Sequence, residues 1–415
     1  MAAPSPVEPL LPDLSEDQVD ARRRIREALT RGERELVFTG PAGSGKTTLL
    51  RVLIADVKAE GWKVRSLALT GKAAVNLHQV TGEEAGTVHG ALYRQVQDGE
   101  DGRPRFFGRQ APCEEKTLVL VDEASMMDTH LHHDFMVAMP KGSVVLFIGD
   151  REQLPPVRGT WGCDFANPTA ALTQIHRQAL GNPILAISAL VREGGKLPQG
   201  VVGEAYLRRR GSLEEVVEAA AMRRRVGADV AILTQTNEIR ERLNRFMRRA
   251  LGHADQGALT AGDRVLVRRN NKIVGRMNGE VLTVERVVPW LETREGQRAA
   301  DDDQVTALEA KALWVRTVEG ARFYTAPDLI GAEGNVHWKT VHGQCRGTWE
   351  SLWLNLDYGE ALTVHAGQGS GFDEVFFVID GMTRYLAGLN PVQARRLVYT
   401  AVTRAKKRLE VWDLG

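Results

Sequence analysis

Residues 36–50, LVFTGPAGSGKTTLL, constrain the fold more than any other part of this chain. Leu36, Val37 and Phe38 are a short apolar run of the kind that fills a buried parallel strand, and residues 48–58 continue with helical spacing. Between them stands the turn Gly40, Pro41, Ala42, Gly43, Ser44, Gly45, Lys46, Thr47, which fits GxxxxGK[ST] at every fixed position. Its glycines let backbone N–H groups curl round a phosphate, and the helix that opens at Lys46 adds the positive end of its dipole. Lys46 then suits the β and γ phosphates, and the Thr47 hydroxyl suits Mg²⁺. The stretch predicts a nucleoside triphosphate site built from residues 40–48, Thr48 included, in a strand, loop and helix order.

At 415 residues the chain is too long for one ordinary core and predicts two to four compact units. Lys and Arg number 54 against 53 Asp and Glu, so a polyanion partner would need local clustering of charge. Residues 203–276 hold 16 basic against 9 acidic side chains, and residues 277–361 hold 8 against 14. Two solvated faces would give the same swing, so it supports such a partner only weakly. Cys113, Cys163 and Cys345 lie far apart with no second Cys or His at ligand spacing, which argues against both a zinc site and a disulfide framework. His130, His132 and His133 read as surface histidines with no carboxylate or thiolate paired to them. No basic leader or long apolar run occurs, so a soluble, cytoplasmic protein without a membrane partner is expected, with residues 1–13 a disordered tail.

Ahead of the phosphate loop, residues 14–30 predict a helix with Ser15 as N-cap, Gln18 completing a capping box, and Val19, Ile25 and Leu29 at apolar positions. The Gln18 amide suits either that capping role or the donor and acceptor edge of adenine. After the loop, apolar runs at 63–69, 117–121 and 143–148 predict further strands of a parallel sheet. Polar groups stand at their carboxyl ends, where ligands bind in open α/β sheets: Thr70, Gly71 and Lys72, then Asp122 and Glu123, then Asp150 and Gln153. Asp122 suits Mg²⁺, and Glu123 suits a base for the attacking water. Between 89 and 116 the alternation breaks into a hairpin that carries Phe106 and Phe107, either an anchor or an exposed wedge. A second sheet is expected from 228–233, 374–379 and 408–412, with a helix over LVYTAVTRAKK before its last strand. Residues 263–360, rich in Val, Thr, Trp and Gly with period-two alternation, read as a small inserted β-barrel, and 292–304 as an exposed loop.

Taken in order, these motifs resemble the superfamily 1 helicases of the 5′-to-3′ group, close to the RecD-like and Dda-like enzymes. They are Gln18, GPAGSGKTT, LTGKAAVNL from Leu69, TVH at 87–89, VDEASM from Val121, GDREQLPPV from Gly149, LTQIHRQ from Leu172, LTVHAGQGS from Leu362 and YTAVTRAK from Tyr399. The resemblance implies two RecA-like parallel-sheet domains with an inserted β-hairpin and an inserted SH3-like β-barrel. It divides the chain into a first motor domain at 14–178 with the hairpin at 91–115, a second at 179–262 and 361–415, and the barrel at 263–360.

Residue by residue, the resemblance gives Lys46 and Thr47 to phosphate and magnesium, Asp122 and Glu123 to magnesium and water activation, and Gln153 to γ-phosphate sensing. It gives Arg177 and Arg404 the place of the two arginines that the family brings from across the cleft. Thr70, Lys72, His89, Thr363, His365 and Gln368 would face single-stranded DNA, and the hairpin with Phe106 and Phe107 would part the duplex. The chain departs from the pattern at Ala366 and Gly367, where relatives often carry Lys-Ser, and at His176, where they often carry Tyr. The function implied is an ATP- and Mg²⁺-dependent 5′-to-3′ DNA helicase of replication, repair or recombination, monomeric, acting on single-stranded DNA and a duplex fork. A single-strand-binding or replication protein is a further partner it admits. The alternatives are a translocase subunit of a larger repair complex without unwinding of its own, and an NTP-dependent switch.

Overall fold

The computed structural model describes residues 13–95, 106–156, 159–174, 182–253, 259–268, 271, 274–276, 278–293, 297, 311–327, 330 and 352–414. The expectations for the tail up to residue 12, for the hairpin turn, for His176 and Arg177, for Cys345 and for most of the 292–304 loop lie outside these residues.

Strand Glu35–Thr39 sits inside a six-stranded, all-parallel sheet, paired with Val144–Gly149 on one side and Ala170–Ala171 on the other. Beyond Val144–Gly149 come Thr117–Asp122, Lys63–Ala68 and Ala85–Thr87. Both faces of the central strands are covered, which is why VVLFIG is buried at all six positions and reads as a continuous apolar run rather than an alternation. Helix Lys46–Ala59 packs on one face through Leu49, Leu50, Leu53, Ile54 and Val57. Helix Glu16–Thr30 joins the same core through Ala21, Ile25 and Ala28, and its Ser15–Gln18 capping box is formed. Val19 is not on that face: it is 52% exposed, because the buried stripe runs 18, 21, 25, 28.

A second sheet of six strands has the order Ala361–Thr363, Val230–Thr234, Phe372–Ile379, Ala405–Leu414, Tyr206–Gly211, Gly200–Val202, and only its last pair is antiparallel. Its final helix, Pro391–Val402, stops before Arg404, so the last strand begins at Ala405, three residues earlier than expected. Strand Tyr206–Gly211, sequence YLRRRG, is the element hardest to foresee. It tolerates three arginines because Arg208 pairs with Asp413 at 2.8 Å and Arg209 with Glu410 at 2.9 Å on the adjoining strand.

Between the halves of this sheet lies a five-stranded antiparallel sheet ordered Arg322–Thr325, Leu313–Thr317, Val281–Pro289, Arg264–Val267, Leu356–Tyr358. Its two edges approach each other, with the Leu354 N–H donating to Tyr324 O at 2.9 Å and a bridge joining Tyr324 to Trp353. Buried ion pairs attach it to helix Asn237–Ala250: Arg240 to Asp357 at 2.5 Å and Arg248 to Asp263 at 2.9 Å. A separate antiparallel pair, Tyr93–Gln95 with Phe106–Arg109, leaves the first sheet. The side chains of Phe106 and Phe107 lie outside the described residues. Among those described, no helix is long and apolar enough to cross a membrane.

Candidate functional site

The glycine loop takes the shape its sequence requires. Gly43 and Gly45 have φ of 77° and 81°, in the left-handed region that favours glycine. Gly40 packs so closely that an added Cβ would lie 2.7 Å from Ser44 Oγ. The Lys46 ammonium is held over the loop by Gly40 O at 2.6 Å and Pro41 O at 3.0 Å. Thr47 is exposed beside it. The Gln18 amide meets both neighbours: its oxygen accepts from the Ser15 N–H at 2.9 Å, and its nitrogen donates to Gly45 O at 3.0 Å. In this structure Gln18 is therefore a brace between its helix cap and the glycine loop.

Facing the loop, Asp122 ends its strand and accepts the Glu123 N–H at 2.8 Å. Burial first, and the Glu123 carboxylate second, push the Asp122 carboxyl up to about 6, against the pull of Lys46 and Arg404. Glu123 has a φ of 55°, and it and Lys116 are the non-glycine residues with positive φ among those described. Such a backbone costs on the order of 1 kcal/mol and persists where the surroundings over-determine it. Gln153 is 5% exposed and its side-chain oxygen has no partner. Lys46, Thr47, Asp122, Glu123, Gln153 and Arg404 line one cavity of about 220 Å³.

Arg404 comes from the second sheet. Its guanidinium is buried, donates to Thr400 O and Ser370 O, and lies 3.8 Å from Glu123 Oε1. The cavity is thus assembled from both sheets. A group of contacts that sequence reasoning missed seals the same boundary. The Tyr399 hydroxyl donates to Asp150 Oδ2 at 2.6 Å and accepts the Ala42 N–H at 3.1 Å, and Thr400 Oγ1 accepts the Leu154 N–H at 3.0 Å. The signal lay in YTAVTRAK, where Tyr399 and Thr400 stand about one helical turn before Arg404.

The residues expected to face a nucleic acid divide. Thr70 caps helix Gly71–Thr81, with its hydroxyl accepting the Ala73 N–H, and Lys72 places its ammonium 4.2 Å over the Phe372 ring of the second sheet. Burial lowers the Lys72 pKa. Thr363 and His365 are half-buried, and His89 is exposed. Gln368 differs from the expectation of an open contact: it is 3% exposed and its amide donates to Leu154 O at 3.1 Å, joining the two sheets.

Two further expectations change. The basic stretch 203–276 spends much of its charge internally, on Arg223–Glu374, Arg224–Glu360, Arg240–Asp357, Arg248–Asp263 and Arg264–Asp229 as well as the strand pairs above. His130 and His133 are exposed, but His132 is not a lone surface histidine: its Nε2 lies 2.8 Å from Glu35 Oε1, and Cys163 adjoins the pair.

Two family models match the chain, an AAA domain at residues 13–218 and a UvrD-like helicase C-terminal domain at residues 358–411. The ATP-dependent RecD2 DNA helicase of Deinococcus radiodurans is 30% identical over 95% of this chain and 48% of its own length. The phage T4 ATP-dependent DNA helicase dda is 29% identical over 44% of this chain and 43% of its own. By sequence the chain is related to the RecD-like and Dda-like helicases. Solved structures agree on the fold: a Pif1 helicase at forked duplex DNA and a Bacteroides Pif1 bound to single-stranded DNA each give a TM-score of 0.52, covering 96% of this chain and 92% of theirs, at 18% and 17% identity. The chain spans about half the length, 48% and 43%, of these two curated relatives.

Proposed function

We propose that this RecD-like chain is an ATP-driven motor that moves 5′ to 3′ on single-stranded DNA and unwinds the duplex ahead of it. The observation that carries the reading is Arg404, which reaches from the second sheet into a cavity lined by the glycine loop, Asp122, Glu123 and Gln153 of the first. A site shared by two sheets couples their closure to the nucleotide, and closure and opening give the step.

In this reading Lys46 holds the β and γ phosphates, and Thr47 with Asp122 holds Mg²⁺, which supplies charge neutralisation at the phosphate oxygens. The donor set suits a hard cation, since it consists of oxygens alone. Glu123 takes the proton of the attacking water, and the unpartnered Gln153 oxygen orients that water beside the γ phosphate. Arg404, with Arg177, stabilises the charge that develops on the transferring phosphoryl group, a role worth about 10³- to 10⁵-fold in rate. The five-stranded sheet is read as an SH3-like barrel, and the antiparallel pair at 93–109 as the pin that parts the strands. Thr70, Lys72, His89, Thr363 and His365 lie along the track, and Gln368 couples it to the cleft. Partial duplexes with a 5′ or a 3′ tail test the proposal: unwinding of the 5′-tailed substrate alone, dependent on ATP, is expected. Unwinding of the 3′-tailed substrate, or of neither, would refute it.

A further inference from the structure

Three side chains far apart in sequence meet beyond the nucleotide cleft, near the start of the strand that leads into the glycine loop. Glu35 is the first residue of that strand, His132 lies in helix Thr129–Ala138, and Cys163 lies on the segment ahead of edge strand Ala170–Ala171. One ligand atom from each falls within 4.8 Å of the others. The backbone around them is fixed. The Gly162 N–H donates to Met127 O at 2.9 Å, and Trp161 bridges to Asp128. Gly162 lies so close to the helix that an added Cβ would sit 2.4 Å from His132 Cβ.

We propose that Glu35, His132 and Cys163 bind one zinc-type divalent ion, with water as fourth ligand, as a structural clamp separate from the magnesium site. The donor set chooses the metal: thiolate and imidazole suit zinc, whereas the all-oxygen set in the cleft suits magnesium. Charge favours it as well, because a thiolate, a carboxylate and a neutral imidazole cancel a dication, so the clamp buries no net charge. The thiol proton passes to solvent as the metal–sulfur bond forms. Tetrahedral bonds of about 2.3 Å to sulfur and 2.0–2.1 Å to nitrogen and oxygen put sulfur about 3.6 Å from nitrogen. Cys163 and His132 therefore close by about 1 Å at most, and the His132–Glu35 contact opens by about 0.5 Å. Solvent reaches the site on the carboxylate side, since Glu35 is 35% exposed there while His132 is 16% and Cys163 3%.

The full chain, reduced and stripped with chelator, is titrated with Co²⁺ as an optical probe and then with Zn²⁺ against a chromophoric chelator. One ion per chain is expected, with a thiolate-to-cobalt charge-transfer band and tetrahedral visible bands. Cys163→Ser should remove the charge-transfer band, His132→Gln and Glu35→Gln should weaken Zn²⁺ binding by at least about tenfold, and Cys113→Ser should change nothing. Zn²⁺ should raise the melting temperature of the parent but not of Cys163→Ser, whose metal-free melt shows whether it folds. No thiolate band in the parent, equal Zn²⁺ affinity in Cys163→Ser, or a band lost in Cys113→Ser would overturn the assignment.

Discussion

Replacing Tyr399 with Phe removes one hydroxyl and keeps the ring, which is 1% exposed in the core of the second sheet. The hydroxyl links three elements, donating to the Asp150 carboxylate at 2.6 Å and accepting from the Ala42 N–H of the glycine loop at 3.1 Å. Burial, followed by the Asp150 carboxylate, raises the Tyr399 pKa well above the usual phenol value, so it remains a donor at neutral pH. A hydrogen bond to a charged acceptor contributes about 1.5–3 kcal/mol and a neutral one about 1 kcal/mol. Asp150 keeps the Glu152 N–H at 3.0 Å, which limits its loss. We take about 2–3 kcal/mol as the weakening of the link, equivalent to about 30- to 140-fold in the local opening equilibrium. Hydrogen exchange read by mass spectrometry on a peptide spanning 40–45 should therefore quicken by that factor in Tyr399→Phe. Peptides from Thr117–Asp122 in the sheet interior should not change. A change below about threefold in the loop peptide would show that the hydroxyl does not hold the loop to the second sheet, whatever its effect on turnover.

Lys46→Ala and Glu123→Gln should both abolish ATP hydrolysis, the first with weakened nucleotide binding and the second without, which equilibrium binding of a fluorescent nucleotide separates. Because Asp122 is pushed up to about 6 and a protonated carboxyl cannot hold a cation, calorimetric Mg²⁺–nucleotide affinity should fall about tenfold per pH unit below about 6. Its folded value also exceeds the ordinary 3.8, so in the metal-free protein this group opposes folding at neutral pH, and the penalty fades as pH falls through about 6 towards 4. Asp357→Ala leaves the buried Arg240 without its 2.5 Å acceptor and should cost about 3–5 kcal/mol, read as a lower midpoint of urea unfolding for the second sheet and its insert. Of Phe106→Ala and Phe107→Ala, one should lower unwinding while leaving DNA-stimulated ATP hydrolysis intact, since neighbouring strand residues face opposite ways; parental unwinding by both would place the wedge elsewhere.

The glycine loop and the strand-end acids were legible because each is a local pattern: a phosphate cradle needs its glycines in sequence, and a buried parallel strand must read as an unbroken apolar run; Arg404 was named only through the resemblance. Gln18 was legible as a choice of two roles, and the fold shows its amide engaged at both ends, in the capping box and on Gly45 O. The node at Tyr399 was not, because its partners Ala42 and Asp150 are 357 and 249 residues away. The Glu35–His132–Cys163 cluster escaped for the same reason. Ligand spacing detects metal sites whose ligands share an element or a turn, and here a strand start, a helix and a loop each give one.

Charge runs failed in a more general way. A sequence shows that 203–276 is basic and 277–361 acidic, but not whether the two face solvent or each other. Here Arg224 and Arg240 of the first stretch reach Glu360 and Asp357 of the second, while Arg208, Arg209 and Arg223 reach Asp413, Glu410 and Glu374 further on. Part of that charge fixes the exit of the chain from the second sheet and its return, through Arg248–Asp263 where it leaves and Arg240–Asp357 and Arg224–Glu360 where it comes back. The two buried pairs, Arg240–Asp357 and Arg248–Asp263, specify how the insert docks on helix Asn237–Ala250 more than they add net stability. A DNA track on this chain therefore owes less to the basic stretch than its composition suggests. With Arg208, Arg209, Arg223, Arg224, Arg240, Arg248 and Arg264 held in ion pairs, the salt dependence of DNA binding should reflect fewer phosphate contacts than the composition suggests, and a log–log slope as steep as about −10 would contradict the assignment of those arginines to the fold.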